Sequence, residues 1–216
     1  MNMPISDLFS PQGALSKSLS GFQSRAGQLE MAECVQSAIL GGSVLVAEAG
    51  TGTGKTLAYL VPALLAGKKT LISTATKTLQ DQLFKKDLPA VRKALGTSLR
   101  IALLKGRSNY LCLYRVENHL GFKGGMGLLD ARHLETIRRW AKVTRTGDIA
   151  EVQDVPEQSP LWSQATSTVD NCLGSECPKA NDCFLLRARS LAREADLLVV
   201  NHHLLWADWT IRQEGQ

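Results

Sequence analysis

The stretch Val44-Leu45-Val46-Ala47-Glu48-Ala49-Gly50-Thr51-Gly52-Thr53-Gly54-Lys55-Thr56 decides how the chain is read. Four apolar residues, a loop with three glycines and a Lys-Thr pair read as a buried strand, a tight turn and a helix start. Backbone N–H groups of such a loop close around phosphate oxygens, and the helix N-terminus adds partial positive charge. Lys55 is placed to reach the β- and γ-phosphates, and the Thr56 hydroxyl to hold Mg²⁺. The common pattern opens on Gly; Ala49 stands there instead, and a small residue suffices. Ala49, Gly50, Thr51, Gly52, Thr53, Gly54, Lys55 and Thr56 therefore form a candidate ATP site, with Lys55 and Thr56 as its catalytic pair. A functionless Gly-rich turn is the bland alternative, and the strand before and helix after argue against it.

On either side of the loop the pattern extends. A helix is expected from about Ser24, a plausible N-cap, to Leu40, with Gly41-Gly42 ending it. An apolar helix follows through Leu57, Leu60, Val61, Leu64 and Leu65. Thr70-Leu71-Ile72-Ser73 and Ile101-Ala102-Leu103-Leu104 read as strands, and Lys77 to Leu95 as a helix that Pro89 breaks or kinks. This alternation predicts an α/β fold with a parallel sheet and crossover helices. From about Lys105 to Leu186 the rhythm stops, and Gly, Asp, Pro and Cys become frequent; it returns at Leu197-Leu198-Val199-Val200-Asn201. The organisation predicted is a leader loop (1–21), a sheet domain (22–105), a cysteine module (106–187) and a continuation of the sheet domain (188–216).

Cys112, Cys172, Cys177 and Cys183 are spaced for metal. Nothing at the start has the basic-then-apolar layout of a secretory signal, and no apolar run approaches the ~20 residues of a membrane helix. The chain reads as cytoplasmic, where clustered cysteines more often ligate metal than form disulfides. Spacing alone leaves an iron–sulfur cluster or structural zinc open. The fifth cysteine, Cys34, falls with Met31, Val35, Ala38 and Ile39 on one helical face and reads as a buried, inert thiol.

Charge is unevenly spread. Residues 65–145 carry 17 Lys+Arg against five Asp+Glu, whereas residues 146–186 carry one Lys and seven Asp+Glu. A basic half suggests a polyanion partner on one surface; a merely solvated surface is the alternative. Leu134, Ile137 and Ala141 form an apolar helical stripe, with Arg138, Lys142 and Arg145 on another face as a candidate phosphate track. Arg107, Arg115, Lys123 and Arg132 lie nearby in sequence. Before the loop, Phe22, Arg25 and Gln28 are spaced by three, and a Gln amide can match the N6 and N7 edge of adenine.

Phe22-x-x-Arg25-x-x-Gln28, the Glu48–Thr56 loop and Ser73-Thr74-Ala75-Thr76-Lys77-Thr78-Leu79-Gln80 resemble the Q motif, motif I and motif Ia of superfamily 2 helicases. Lys105-Gly106-Arg107-Ser108-Asn109-Tyr110-Leu111-Cys112, the later cysteine trio and Val199-Val200-Asn201-His202 resemble the XPD/DinG iron–sulfur branch. The resemblance covers about residues 20–205. It implies a RecA-like motor domain interrupted by a small, mostly helical [4Fe–4S] domain, and ATP-driven 5′→3′ unwinding of single-stranded or forked DNA in repair or replication. It also implies ATP, Mg and the [4Fe–4S] cluster as cofactors, and a replication or repair protein as a further partner. Carried over by position, Gln28 reads adenine with Phe22 and Arg25 in support. Thr74, Thr76 and Gln80 touch the DNA backbone, and the four cysteines hold the cluster, mainly as a structural element. The branch's acidic Asp-Glu-Ala-His motif does not follow Asn201-His202 before Gln216. The expectation is an N-terminal fragment inactive in hydrolysis and unwinding. The competing expectation is a non-catalytic nucleotide-, DNA- or partner-binding module with a structural zinc site made by the four cysteines.

Overall fold

A computed structural model describes residues 4–120 and 127–214; Lys123 lies outside them. The described residues divide into two compact units: Met1–Leu103 with Glu194–Gln216, and Leu104–Arg193. The module thus begins two residues earlier and ends six later than the sequence pattern suggests. At the later end, one continuous helix, Phe184–Glu194, follows the last cysteine and runs past the expected boundary.

The first unit is built on a three-stranded parallel sheet. Its strands are β1 (Thr70–Thr74), β2 (Ile101–Leu103) and β3 (Leu197–Asn201), in the order β1-β3-β2. Thr70 pairs with Leu197 and Thr74 with Asn201, so β1 and β3 end level at their carboxyl ends. Parallel pairing without a hairpin demands crossovers, and helices supply them. The apolar residues of α4 (Lys55–Leu65) pack with Leu197 and Val199 of the central strand. The expected Lys77–Leu95 helix is present as α5 (Lys77–Gln82), one widened turn (Leu83–Asp87) and α6 (Leu88–Leu95). Pro89 stands in the first turn of α6, where its missing N–H costs nothing. The widened turn just before it absorbs the break.

Three expectations need correction here. The leader is not a loop: α1 (Ile5–Phe9) and α2 (Ala14–Ser18) form, and Ile5, Leu8, Phe9 and Leu15 are buried in the unit's core. Their apolar spacing is helical, and that outweighs the Ser, Pro and Gly around them. The N-terminal helix, α3, spans Ala26–Gly41 with Arg25 rather than Ser24 at its cap, and Gly42 closes it at φ 65°. It buries Gln28 and Ala32, one turn apart, so Cys34 falls on the outer face and is exposed. Most important, Val44–Ala47 is not a buried strand. Val44 and Val46 are each 94% exposed, and the run joins none of the three strands. An apolar extended segment becomes a strand only where a neighbour takes its N–H and C=O groups.

The second unit has its own core, with Tyr110, Leu111, Leu134, Ile137, Leu161, Trp162, Phe184 and Leu185 among its buried residues. Its helices are α7 (Leu113–Asn118), α8 (Leu128–Ala141), α9 (Leu161–Ala165) and α10 (Phe184–Glu194). The expected stripe is present: Leu134 and Ile137 are buried and Ala141 packs against them. Because α8 ends at Ala141, Arg145 is not on its face but lies in the turn that follows. The last strand of the first unit, β3, runs directly into α11 (His202–Glu214). No helix among the described residues is long and apolar enough to cross a membrane.

Candidate functional site

The glycine loop sits where α4 begins, with Gly54 as the residue before its first turn. Gly54 has φ +83°, a conformation that disfavours any side chain. A Cβ there would also meet the Gln28 amide and displace it from the loop. Gln28 Nε2 donates to the Gly54 carbonyl at 2.9 Å, while Gln28 Oε1 is buried without a partner. The residue expected to read adenine is thus seated against the loop itself, 4% exposed. Its donor is engaged, and its buried acceptor has no partner among the described residues.

Lys55 Nζ donates to the carbonyls of Ala49 (2.6 Å) and Gly50 (2.7 Å), and the Thr53 hydroxyl donates to Gly50 (2.9 Å). The ammonium therefore occupies the loop's own carbonyls, which a polyphosphate would outbid as the stronger, charged acceptor. Burial pushes the Tyr59 phenol up, partly offset by a hydrogen bond with Thr56 one turn earlier. Phe22 packs its ring 6.2 Å from Phe9, and Arg25, exposed, stands in extended backbone at the cap of α3. Both therefore precede the helix rather than projecting from it.

At the carboxyl ends of β1 and β3 the two motif-like segments meet. Ser73 Oγ lies 2.6 Å from His202 Nδ1. The Thr74 hydroxyl donates to the Thr76 carbonyl at 3.1 Å, and Thr76 Oγ1 caps α5 by accepting from the Leu79 N–H at 3.2 Å. Thr76 keeps its hydroxyl hydrogen for an outside acceptor; Thr74 has turned its own inward. Gln80 corrects the expectation of a DNA contact: it is 0% exposed and its amide donates to the Val199 carbonyl at 3.4 Å. Its register on α5 points it at the central strand, so it braces the sheet instead.

In the second unit the four cysteines come together. Cys112, Cys172, Cys177 and Cys183 all line one cavity of about 110 Å³, with Arg107, Lys179 and Arg189 also on its walls. Burial pushes the Cys112 thiol up, and the nearby charges of Cys177, Cys183 and Cys172 raise it further. No group of three or more His, Cys, Asp or Glu side chains among the described residues is arranged to hold a metal ion. The four cysteines share the lining of that one cavity.

Cys112 is held by long-range contacts. Leu111 N–H donates to Gly147 at 2.8 Å and Cys112 N–H to Ala165 at 2.8 Å; Tyr110 and Leu111 bridge Asp148 and Thr166. Under these bridges lies a buried ion pair, Lys105 Nζ to Asp148 Oδ2 at 2.7 Å, and Asp148 Oδ1 also caps the Ala150 N–H. Lys179 pairs with Glu117 at 2.7 Å, tying the trio's loop to α7, which follows Cys112. Arg138, Lys142 and Arg145 are exposed, with Arg138 also donating to the Leu120 carbonyl at 3.1 Å. Sequence reasoning gave no role to Asp148, Glu117 or His202, although His202 closes the Val199–His202 segment quoted above. A partner for Lys105 was the available signal, since a lysine between an apolar strand and a cysteine motif needs an acid once buried.

The chain matches the DEAD/DEAH box helicase family over residues 30–117. It is 51% identical over 213 residues to the ATP-dependent DNA helicase YoaA of Haemophilus influenzae, covering 98% of this chain and 33% of that protein. Escherichia coli YoaA is 50% identical over 211 residues, again covering 98% of this chain and 33% of the relative. The ATP-dependent helicase DinG of Mycobacterium tuberculosis is 39% identical over 218 residues, covering 90% of this chain and 32% of the relative. The chain spans about a third of the length of these relatives.

Proposed function

Since the chain belongs with the DEAD/DEAH box helicases of the YoaA and DinG kind, we propose that it is the N-terminal part of an ATP-dependent 5′→3′ DNA helicase carrying a [4Fe–4S] cluster. The observation that carries this reading is the gathering of four cysteines around one cavity of the second unit, although 59 residues separate the first two. Four soft thiol donors suit iron–sulfur ligation. Zinc would draw tetrahedral sulfurs to about 2.3 Å from a single centre. Cys112, Cys172, Cys177 and Cys183 would hold the cluster, which would supply folding energy to the unit.

In the first unit, Lys55 would release the Ala49 and Gly50 carbonyls for the β- and γ-phosphates, with the Thr56 hydroxyl on Mg²⁺. The loop N–H groups from Ala49 to Gly54 would close around the same phosphates. The buried, unpartnered Gln28 Oε1 would turn outward to accept from the adenine amino group, with Phe22 and Arg25 bordering the base. Thr74 and Thr76 would border the DNA backbone, and Arg138, Lys142 and Arg145 would offer it cations. A DNA substrate goes with a cytoplasmic protein, with repair or replication as its setting and a protein of those processes as partner. Phosphoryl transfer also needs a metal-holding acid and a positioned water. The 216 residues by themselves should therefore bind nucleotide yet turn it over negligibly.

Anaerobic purification tests the central point. The expected product is brown, with iron and sulfide near four each per chain, about the content of one [4Fe–4S] cluster. A colourless protein with one zinc would refute the cluster. Robust DNA-stimulated ATP turnover by the 216 residues would refute the assignment of catalysis to a longer chain.

A further inference from the structure

The parallel register of β1 and β3 sets Thr74 level with Asn201, so the residues that leave the two strands emerge side by side. Ser73 and His202 meet there at 2.6 Å, an exposed contact between positions 129 apart in sequence. In open parallel sheets, ligands bind outside the carboxyl ends of the strands. An exposed hydroxyl–imidazole bond adds little to stability, because water competes for both groups. Its effect is to fix the ring. Ser73 occupies Nδ1, and Nε2 has no partner among the described residues. A nucleophilic Ser–His pair would need a third group on that second nitrogen to orient the base. The pairing is therefore suited to aiming Nε2 outward. Close by in sequence, Thr76 keeps a hydroxyl hydrogen to donate.

We propose that His202 is a contact to the DNA backbone, its imidazole held by Ser73 so that Nε2–H donates to a phosphate oxygen on the strand that Thr76 borders. Ser73 is a positioning residue: in the tautomer that carries its proton on Nε2, Nδ1 accepts from the Ser73 hydroxyl 2.6 Å away, and that bond favours this tautomer. The inference rests on the reading of the Thr74–Thr76 segment as a DNA-binding edge.

Fluorescence anisotropy with a labelled single-stranded oligothymidylate, on the purified 216-residue protein and its variants, tests it. His202→Ala should weaken binding about tenfold to a hundredfold, the loss of one hydrogen bond to a charged acceptor. Ser73→Ala should weaken it less, and should add nothing in the His202→Ala background. The thermal midpoint should stay unchanged in both. Long-range ¹H–¹⁵N spectra should show the His202 Nε2 signal move when the oligonucleotide is added, which a merely structural ring would not do. Equal affinity of His202→Ala and the unaltered protein would overturn the proposal while leaving the DNA-binding edge intact. Weakened binding by His202→Ala, together with His202 ring signals of the unaltered protein that do not respond to the oligonucleotide, would overturn it too. Failure of the unaltered protein to bind would remove the DNA reading itself, and this inference with it.

Discussion

The glycine loop and the cysteine cavity keep their functional side chains in place by opposite means. In the loop, Lys55 and Thr53 are satisfied by carbonyls no more than six residues away. Among the described residues, Gln28 is the side chain that reaches the loop from a distance. Around the cavity, Cys112 depends on Gly147 and Ala165, and on an ion pair between positions 43 apart. A site closed by local bonds can lose one side chain and keep its shape. A site assembled from distant segments loses its shape when one support goes. Substitutions in the two regions should therefore differ in reach as well as in size.

The largest expected effect follows from removing a ligand. Cys172→Ser should leave the protein without stable colour, lower bound iron well below that of the unaltered protein, and unfold the second unit, because the cluster's binding energy is folding energy. Circular dichroism and iron analysis read both changes. Retained colour and iron would break the contrast at its strongest point. Next comes the ion pair. Lys105→Met leaves the Asp148 carboxylate buried without its cation, at a cost of about 3–5 kcal/mol to the second unit. Adding Asp148→Asn should restore part of that, since the stranded charge is gone. A denaturant titration of the four proteins of that cycle gives the coupling directly. Additive effects would show that the pair does not act as one element.

Lys55→Ala probes the other side of the contrast. Nucleotide affinity should fall on the order of a hundredfold, the loss of a charge-assisted contact to phosphate. Iron content and the melting of the second unit should not change. Isothermal titration with ATP-Mg and iron analysis on one preparation read both. Loss of iron in this variant would mean that the two regions are not separable in the way their contacts imply.

The same contrast explains what could be read from sequence. The parallel sheet was legible because β3 and the residues of α4 carry near-continuous apolar runs, which a doubly covered strand and a buried helix need. The loop was legible because its chemistry is local. Val44–Ala47 misled because apolar content shows what a segment could bury, whereas strand formation depends on a neighbour that lies elsewhere in the chain. Cys34 misled by part of a helical turn: Gln28 and Ala32 define the inward face, and the apolar stripe drawn through Met31 missed it. Gln80 misled because a polar residue in a motif-like run was assigned to a ligand, while a fully buried amide was bracing Val199. The Lys105–Asp148 and Glu117–Lys179 pairs were out of reach, since no period in the sequence links such distant positions.

The smallest effect lies at an exposed long-range contact of the first unit, where the argument from reach predicts a weak result. Arg100 and Asp196 join the approaches to β2 and β3: Asp196 accepts from the Arg100 backbone N–H at 2.8 Å and from its guanidinium at 3.1 Å. Those bonds from Arg100 hold the Asp196 carboxyl below its usual value. As pH falls, the unfolded state takes up this proton first, so the folded state gives up the associated stability only on passing below about pH 4. Asp196→Asn should therefore lower the melting midpoint slightly at pH 7, and the gap from the unaltered protein should narrow in acid. Both groups are open to solvent, and salt should shrink the gap as well. A gap that widens in acid, or that equals the loss from Lys105→Met at pH 7, would show that distance in sequence, not burial, sets the weight of a contact here.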